Sequence, residues 1–142
     1  MRAPEWIDEW PMHLEALGWL WWARWQIGAR GWRSSVDGAR SLERSLESAA
    51  AQGWEHGDIE VVERALHRVS RLVPGVTCIH RALAGQRMLA RRRVSARLAI
   101  GLRRGEEAIE GHAWLEIGGG AIDEPRCLFV EEGAGYREVE SL

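Results

Sequence analysis

The chain has no Lys and no Asn, so 19 Arg carry all of its permanent side-chain positive charge. We read that skew as the codon bias of a GC-rich genome rather than as mechanism. Cysteine is scarce as well. Cys78 and Cys127 stand far apart with no C-x-x-C pair, which excludes a disulfide framework and points to a reducing, cytoplasmic setting. His and Cys never cluster at ligand spacing, so no metal is expected, and no motif calls for a cofactor. No run of 18 apolar residues occurs, and the N-terminus lacks the pattern of a signal peptide. No transmembrane segment is therefore expected. Acidic residues are missing from 64–104, which hold eleven Arg, whereas 105–142 hold ten acidic residues and two Arg. Without a nucleic-acid motif, that asymmetry favours pairing within the chain over binding of nucleic acid.

With 142 residues, 46% apolar and 28% charged, the chain is expected to form one domain spanning 1–142. Its helical part should cover 1–72, and a catalytic helix and sheet should cover 73–142. Nine Trp are present, eight of them before residue 55. Trp10, Leu14, Leu17, Trp21, Trp25 and Trp32 recur at helical spacing, and Trp19, Leu20, Trp22 and Ile27 widen that face. Core packing and a partner-docking face both suit such a segment, and Trp19 and Trp22 are the expected outward residues. A second helix is expected over Ser41–Gln52. A third should begin at an Asp58 N-cap and carry Ile59, Val62, Leu66 and Val69 on one side. Pro74-Gly75 stops it, and a fourth helix runs from Cys78 to about Arg92.

Alternation then takes over. Val94, Ala96, Leu98, Ile100 and Leu102 form one strand face. Ile109, Gly111, Ala113, Leu115 and Ile117 form the next, which turns His112 to the opposite face with Trp114. Gly118–Gly120 should make a hairpin turn and Ala121–Glu124 a returning strand. Cys127–Val130 and Tyr136–Val139 read as short strands. The expected class is α+β, N-terminal helices followed by one helix packed on a small antiparallel sheet, as in papain-like and transglutaminase-like cores.

Three residues stand where thiol chemistry needs them. Cys78 opens a helix, whose unpaired N–H groups and dipole favour a thiolate. His112 lies on a strand 34 positions later and can take the thiol proton, then return it to a leaving amine. Asp123 follows across the glycine turn and would fix the imidazole tautomer, with Glu124 beside it as the alternative register. The Cys78 N–H is a candidate oxyanion donor. Cys127 is expected in the core, His80 as a surface or supporting residue directed away from Cys78.

The segments Thr77-Cys78-Ile79-His80-Arg81-Ala82-Leu83, Arg97-Leu98-Ala99-Ile100-Gly101-Leu102 and His112-Ala113-Trp114-Leu115-Glu116 together resemble one family in order and spacing. It is the stand-alone transglutaminase-like leader peptidase of bacterial lasso-peptide biosynthesis. The resemblance covers about residues 12–130, and departs where that family often has Gly and this chain has Arg93. It implies a cysteine protease with Cys78 as nucleophile, His112 as base and Asp123 as third residue. The substrate would be a ribosomally made precursor peptide. The implied partners are a leader-recognition protein and an ATP-dependent macrolactam cyclase. Two further readings remain open: another transglutaminase-like amide hydrolase or acyltransferase, and a non-enzymatic interaction module working through the Trp-rich helix.

Overall fold

A computed structural model of the chain describes residues 9–47, 56–117, 126–130 and 134–139. Three helices precede a four-stranded antiparallel sheet, so the architecture is α+β as expected. The helices are α1 (Trp10–Glu47), α2 (His56–Val69) and α3 (Cys78–Arg91). The strands are β1 (Arg97–Arg104), β2 (Ile109–Ile117), β3 (Arg126–Leu128) and β4 (Arg137–Glu138), in the spatial order β3-β2-β1-β4.

The two helices expected over residues 10–52 are one 38-residue helix with a break at Gly31, where φ is 82° and ψ is 162°. Only glycine takes that conformation cheaply, so Gly31 lets one chain segment pack in two directions. The inner face of α1 is also not the one that periodicity suggested. Ala16, Leu20 and Ala23 are fully buried, whereas Trp10, Leu14, Trp21 and Trp25 lie on the outer side. Small side chains let α1 approach α3 and α2, against which it chiefly packs. Trp19 and Trp22, expected to point outward, instead lean on the core and meet each other edge to face at 5.3 Å. The α2 helix begins at His56, two residues before the expected Asp58 cap, and buries Ile59, Val62, Leu66 and Val69 as the spacing requires.

The α3 helix lies between the other helices and the sheet, and its Ala82, Leu83, Met88 and Leu89 are buried. It ends in a Schellman arrangement: the Val94 N–H donates to the Leu89 carbonyl at 2.9 Å and the Arg93 N–H to the Ala90 carbonyl at 3.0 Å. Arg93 sits at the left-handed position of that motif, φ 60°. A Gly at this point would adopt the conformation without strain.

In the sheet, Leu98 pairs with Leu115 and Ile100 with Ala113, which directs these residues and Ile117 at α3. The opposite face carries the pairs Arg97 with Glu116, Ala99 with Trp114, Gly101 with His112 and Arg103 with Glu110. Alternation thus placed His112 and Trp114 correctly. It overestimated the ends, since Leu102 and Ile109 are exposed. The expected turn at Gly118–Gly120 and returning strand Ala121–Glu124 lie outside the described residues. Residues 126–128 do pair with β2, Leu128 opposite Leu115, so the chain beyond Leu128 is what the sheet brings toward the His112 end of β2.

A polar plug joins α1 to the sheet. The Leu98 N–H donates to the Glu43 carboxylate at 2.7 Å, and the Arg40 guanidinium donates to the Leu98 carbonyl at 2.5 Å. The buried amide of Gln86 donates to the carbonyls of Ala39 and Ala96 at 3.3 and 3.1 Å. Much of the Arg-rich stretch is neutralised within the chain. Arg97 bridges Glu116 and Glu138 across the sheet, Arg103 pairs with Glu110, and Arg91 and Arg92 pair with Glu15 on α1. The basic end of α3 therefore pairs with α1. Arg97 is held well above the ordinary guanidinium range by Glu138 and Glu116, and Arg97 in turn holds Glu138 below the carboxylate range.

Candidate active site

Cys78 is the first residue of α3, half-buried against the core. Its N–H is one of the helix-start donors that no intrahelical carbonyl reaches. The turn before it is built by two residues. Thr77 is the N-cap, and its backbone N–H and hydroxyl both reach the Nδ1 of His80, at 3.0 and 2.9 Å. An N–H can only donate, so Nδ1 is the acceptor and the neutral His80 ring carries its proton on Nε2. Burial, reinforced by the Arg24 guanidinium, pushes the His80 imidazole below its ordinary range. His80 is therefore a buried, neutral part of the helix start that presents Cys78, not a surface residue. Its place three residues after Thr77, where a capping box carries Glu or Gln, was a readable signal.

His112 is set from three sides. Its Nε2 lies 2.5 Å from the Phe129 carbonyl, its ring stacks on Tyr136 at 5.0 Å between centroids, and Trp114 is stacked at 6.3 Å. A carbonyl only accepts, so Nε2 is the protonated nitrogen and Nδ1 keeps the lone pair that a base needs. Phe129 has φ 68°, a conformation costing a non-glycine residue about 1 kcal/mol. That conformation accompanies the turn of its carbonyl toward His112. Its ring is pinned below, where Gly85 of α3 leaves just enough room: a Cβ there would lie 3.0 Å from the Phe129 ring and 3.1 Å from Leu115. Arg103 lies over the Tyr136 ring at 4.5 Å, and the rings of His112, Trp114 and Tyr136 form one cluster, in which Trp114 and Tyr136 are 6.2 Å apart. Sequence reasoning singled out neither Phe129 nor Tyr136, because both act through chain segments distant from β2.

His112 stands in the wall of a cleft of about 810 Å³. Helix α2 contributes Arg64, His67 and Arg68, α3 contributes Arg81, and Tyr136 closes the other side. Arg81 is one turn along α3 from Cys78, so the cleft extends to the helix start, although Cys78 itself does not line it. Among the described residues no hydrogen bond joins Cys78 to His112. Asp123 and Glu124 lie outside the described residues. Cys127, expected in the core, is exposed on β3, because pairing with Glu116 turns it to the sheet face away from α3. Partial burial and the neighbouring Glu116 carboxylate push its thiol up. Among the described residues no group of His, Cys, Asp and Glu is placed to hold a metal ion.

A helix that begins with a half-buried cysteine, packed on an antiparallel sheet that carries a braced histidine, is the frame of a thiol hydrolase or acyltransferase. A profile of the transglutaminase-like superfamily matches residues 17–140, and the chain belongs to that superfamily. Its members include cysteine peptidases and acyltransferases. No curated protein and no solved structure matches the chain. Among the described residues no helix is long and apolar enough to cross a membrane.

Proposed function

We propose that the chain is a cytoplasmic cysteine protease that removes the leader from a lasso-peptide precursor, working as a single transglutaminase-like domain over residues 1–142. Cys78 attacks the scissile carbonyl and forms a thioester, and His112 takes the thiol proton at Nδ1 and returns it to the departing amine. Water then hydrolyses the thioester. Asp123 is the proposed third residue, with the Phe129 carbonyl as a second acceptor for the His112 N–H. The observation that carries this reading is the cleft itself. It has His112, held in the tautomer a base requires, in one wall and the first turn of the Cys78 helix in another. The missing contact between the two is compatible with it, since catalytic hydrogen bonds are often long before substrate binds.

Trp10, Leu14, Trp21 and Trp25 on the outer side of α1 support the partner assignments. Trp10 is 58% and Trp25 59% exposed, and an exposed aromatic stripe is the composition of a docking face. In the proposal it receives the leader-recognition protein, and the macrolactam cyclase acts on the released amino terminus.

The test is cleavage of a lasso-precursor peptide, with and without a leader-recognition protein. Cys78→Ala is expected to lose activity by several powers of ten while melting like the parent. Asp123→Asn is expected to lose only about 10- to 100-fold, because the Phe129 carbonyl keeps the tautomer whose loss makes such substitutions costlier elsewhere. Full cleavage by Cys78→Ala would overturn the enzymatic reading. Cleavage that never depends on the partner would overturn the division of labour. Neighbouring genes without a precursor would favour another transglutaminase-like amide hydrolase or acyltransferase.

A further inference from the structure

Among the described residues, the cleft in front of His112 carries more positive charge than its carboxylates match. Four guanidinium groups line it, from Arg64, Arg68, Arg81 and Arg103. Arg64 and Arg68 share the single carboxylate of Glu9, at 2.8 and 3.3 Å. Arg103 is occupied by Glu110 at 2.8 Å, by the Ala134 carbonyl at 3.0 Å and by the Tyr136 ring. Glu63 also lines the cleft. Arg81 differs from the other three: among the described residues it has no ion pair. It is half-buried in the first turn of α3, three residues after Cys78.

We propose that this cleft selects peptides bearing a carboxylate near the attacked bond, and that Arg81 is the group that binds it. The inference rests on reading Cys78 and His112 as the reactive end of the cleft. Three residues of helix advance about 5 Å, and extended peptide advances about 3.3 Å per residue. Allowing for the reach of the Arg side chain, the carboxylate lies within about three residues of the bond. A guanidinium fork takes both oxygens of one carboxylate, which a Lys in its place cannot do. The walls add selectivity, since Arg64 and Arg68 oppose a cationic peptide. An Asp or Glu side chain and a free peptide C-terminus present the same chemistry.

The experiment measures binding to the Cys78→Ala protein, so it is independent of turnover. Fluorescein-labelled Gly-Ser octapeptides are compared by anisotropy: one with a central Glu and an amidated end, its Gln counterpart, one with a Lys, and one with a free C-terminal carboxylate. The Glu peptide is expected to bind about 10-fold tighter than the Gln peptide at low salt, with the gap shrinking as salt is added. In Cys78→Ala/Arg81→Gln the gap is expected to fall below about 2-fold, and Arg81→Lys should keep part of it. A preference for the free C-terminus over internal Glu would support the same site with the terminus as the source. Equal binding of Glu and Gln peptides, tighter binding of the Lys peptide, or a Glu preference that survives Arg81→Gln would each overturn the proposal. Circular dichroism of both Arg81 variants separates lost contact from lost fold. The protein with Cys78 intact is assayed separately on a precursor peptide together with the leader-recognition protein: carboxylate-selective binding of the octapeptides without cleavage of that precursor would leave this site standing and remove the protease reading.

Discussion

Gly101 offers the sharpest test of how the sheet builds the site. It sits in the middle of β1, opposite His112 on one side and Glu138 on the other. A methyl group at Gly101 would lie 2.6 and 2.7 Å from the six-membered ring of Trp114 and 2.8 Å from the Arg137 carbonyl. Both neighbours would have to move, and one of them is backbone. Overpacking of that kind costs about 1–3 kcal/mol, while replacing a strand glycine by Ala returns about 0.5–1 kcal/mol. The net expectation for Gly101→Ala is a loss of about 1–2 kcal/mol, a fall in Tm of about 3–8 °C for a chain of this size. Gly111 is the control, since a Cβ there meets only Leu102, at an ordinary 3.6 Å. Gly111→Ala is expected to be neutral or stabilising by up to about 1 kcal/mol. Urea unfolding measures both. The displaced Trp114 should also shift the ring resonances of His112, which stacks on it, in Gly101→Ala alone. Equal stabilities for the two variants would refute the contact, and an unmoved His112 signal in a destabilised Gly101→Ala would refute its link to the site.

Other expectations follow from the same geometry. Trp25→Ala and Trp21→Ala should weaken partner binding, by about 2 kcal/mol where the ring fills a pocket, with little change in the melt; Trp19→Ala and Trp22→Ala should lower the melt instead, as titration calorimetry and thermal unfolding would show. Stability should fall as pH drops from about 7.5 to 5.5, because the depressed His80 must gain a proton that the unfolded chain accepts near 6.5. His80→Gln, which keeps an acceptor for the Thr77 N–H, should flatten that slope, and an unchanged slope would remove His80 as its source. Arg93→Gly should stabilise by about 1 kcal/mol by relieving the left-handed position at the end of α3, read as a higher urea midpoint with the same m-value.

Chemistry that depends on short-range pattern was legible in the sequence, and chemistry that depends on distant packing was not. The start of α3 at Cys78 followed from Pro74-Gly75 and the helical spacing beyond it. The facing of His112 with Trp114 followed from a period of two. The orientation of α1 did not, because aromatic and aliphatic residues occupy most of its circumference. Which side faces inward is decided by close approach to α3, and Ala16 and Ala23 permit that where Trp21 and Trp25 do not. The same limit hid the bracing of His112. Phe129 and Tyr136 reach it only because β3 and β4 take the two outer edges of the sheet. Cys127 was assigned to the core as a small apolar residue, yet one step in strand register decides its side.

The plug between α1 and Leu98 has a consequence for how the molecule fails. Among the described residues β1 has a β-strand neighbour over most of its length only in β2, since β4 pairs with it at Gly101 and Leu102 and the Val139 N–H reaches the Ile100 carbonyl. At Leu98 the bare edge would offer a free N–H and a free C=O, the template on which another chain can add a strand. Glu43 and Arg40 engage both groups, so two side chains of one helix turn imitate the missing strand. That cover is attached beyond the break at Gly31, on the half of α1 that leaves its first direction. Lifting this half away would uncover that edge together with the core beneath Val36 and Ala39, which lie on the same half. Arg40 and Glu43 thus cover the edge at Leu98 only as long as Val36 and Ala39 stay packed, so exposure of the edge is coupled to opening of the core.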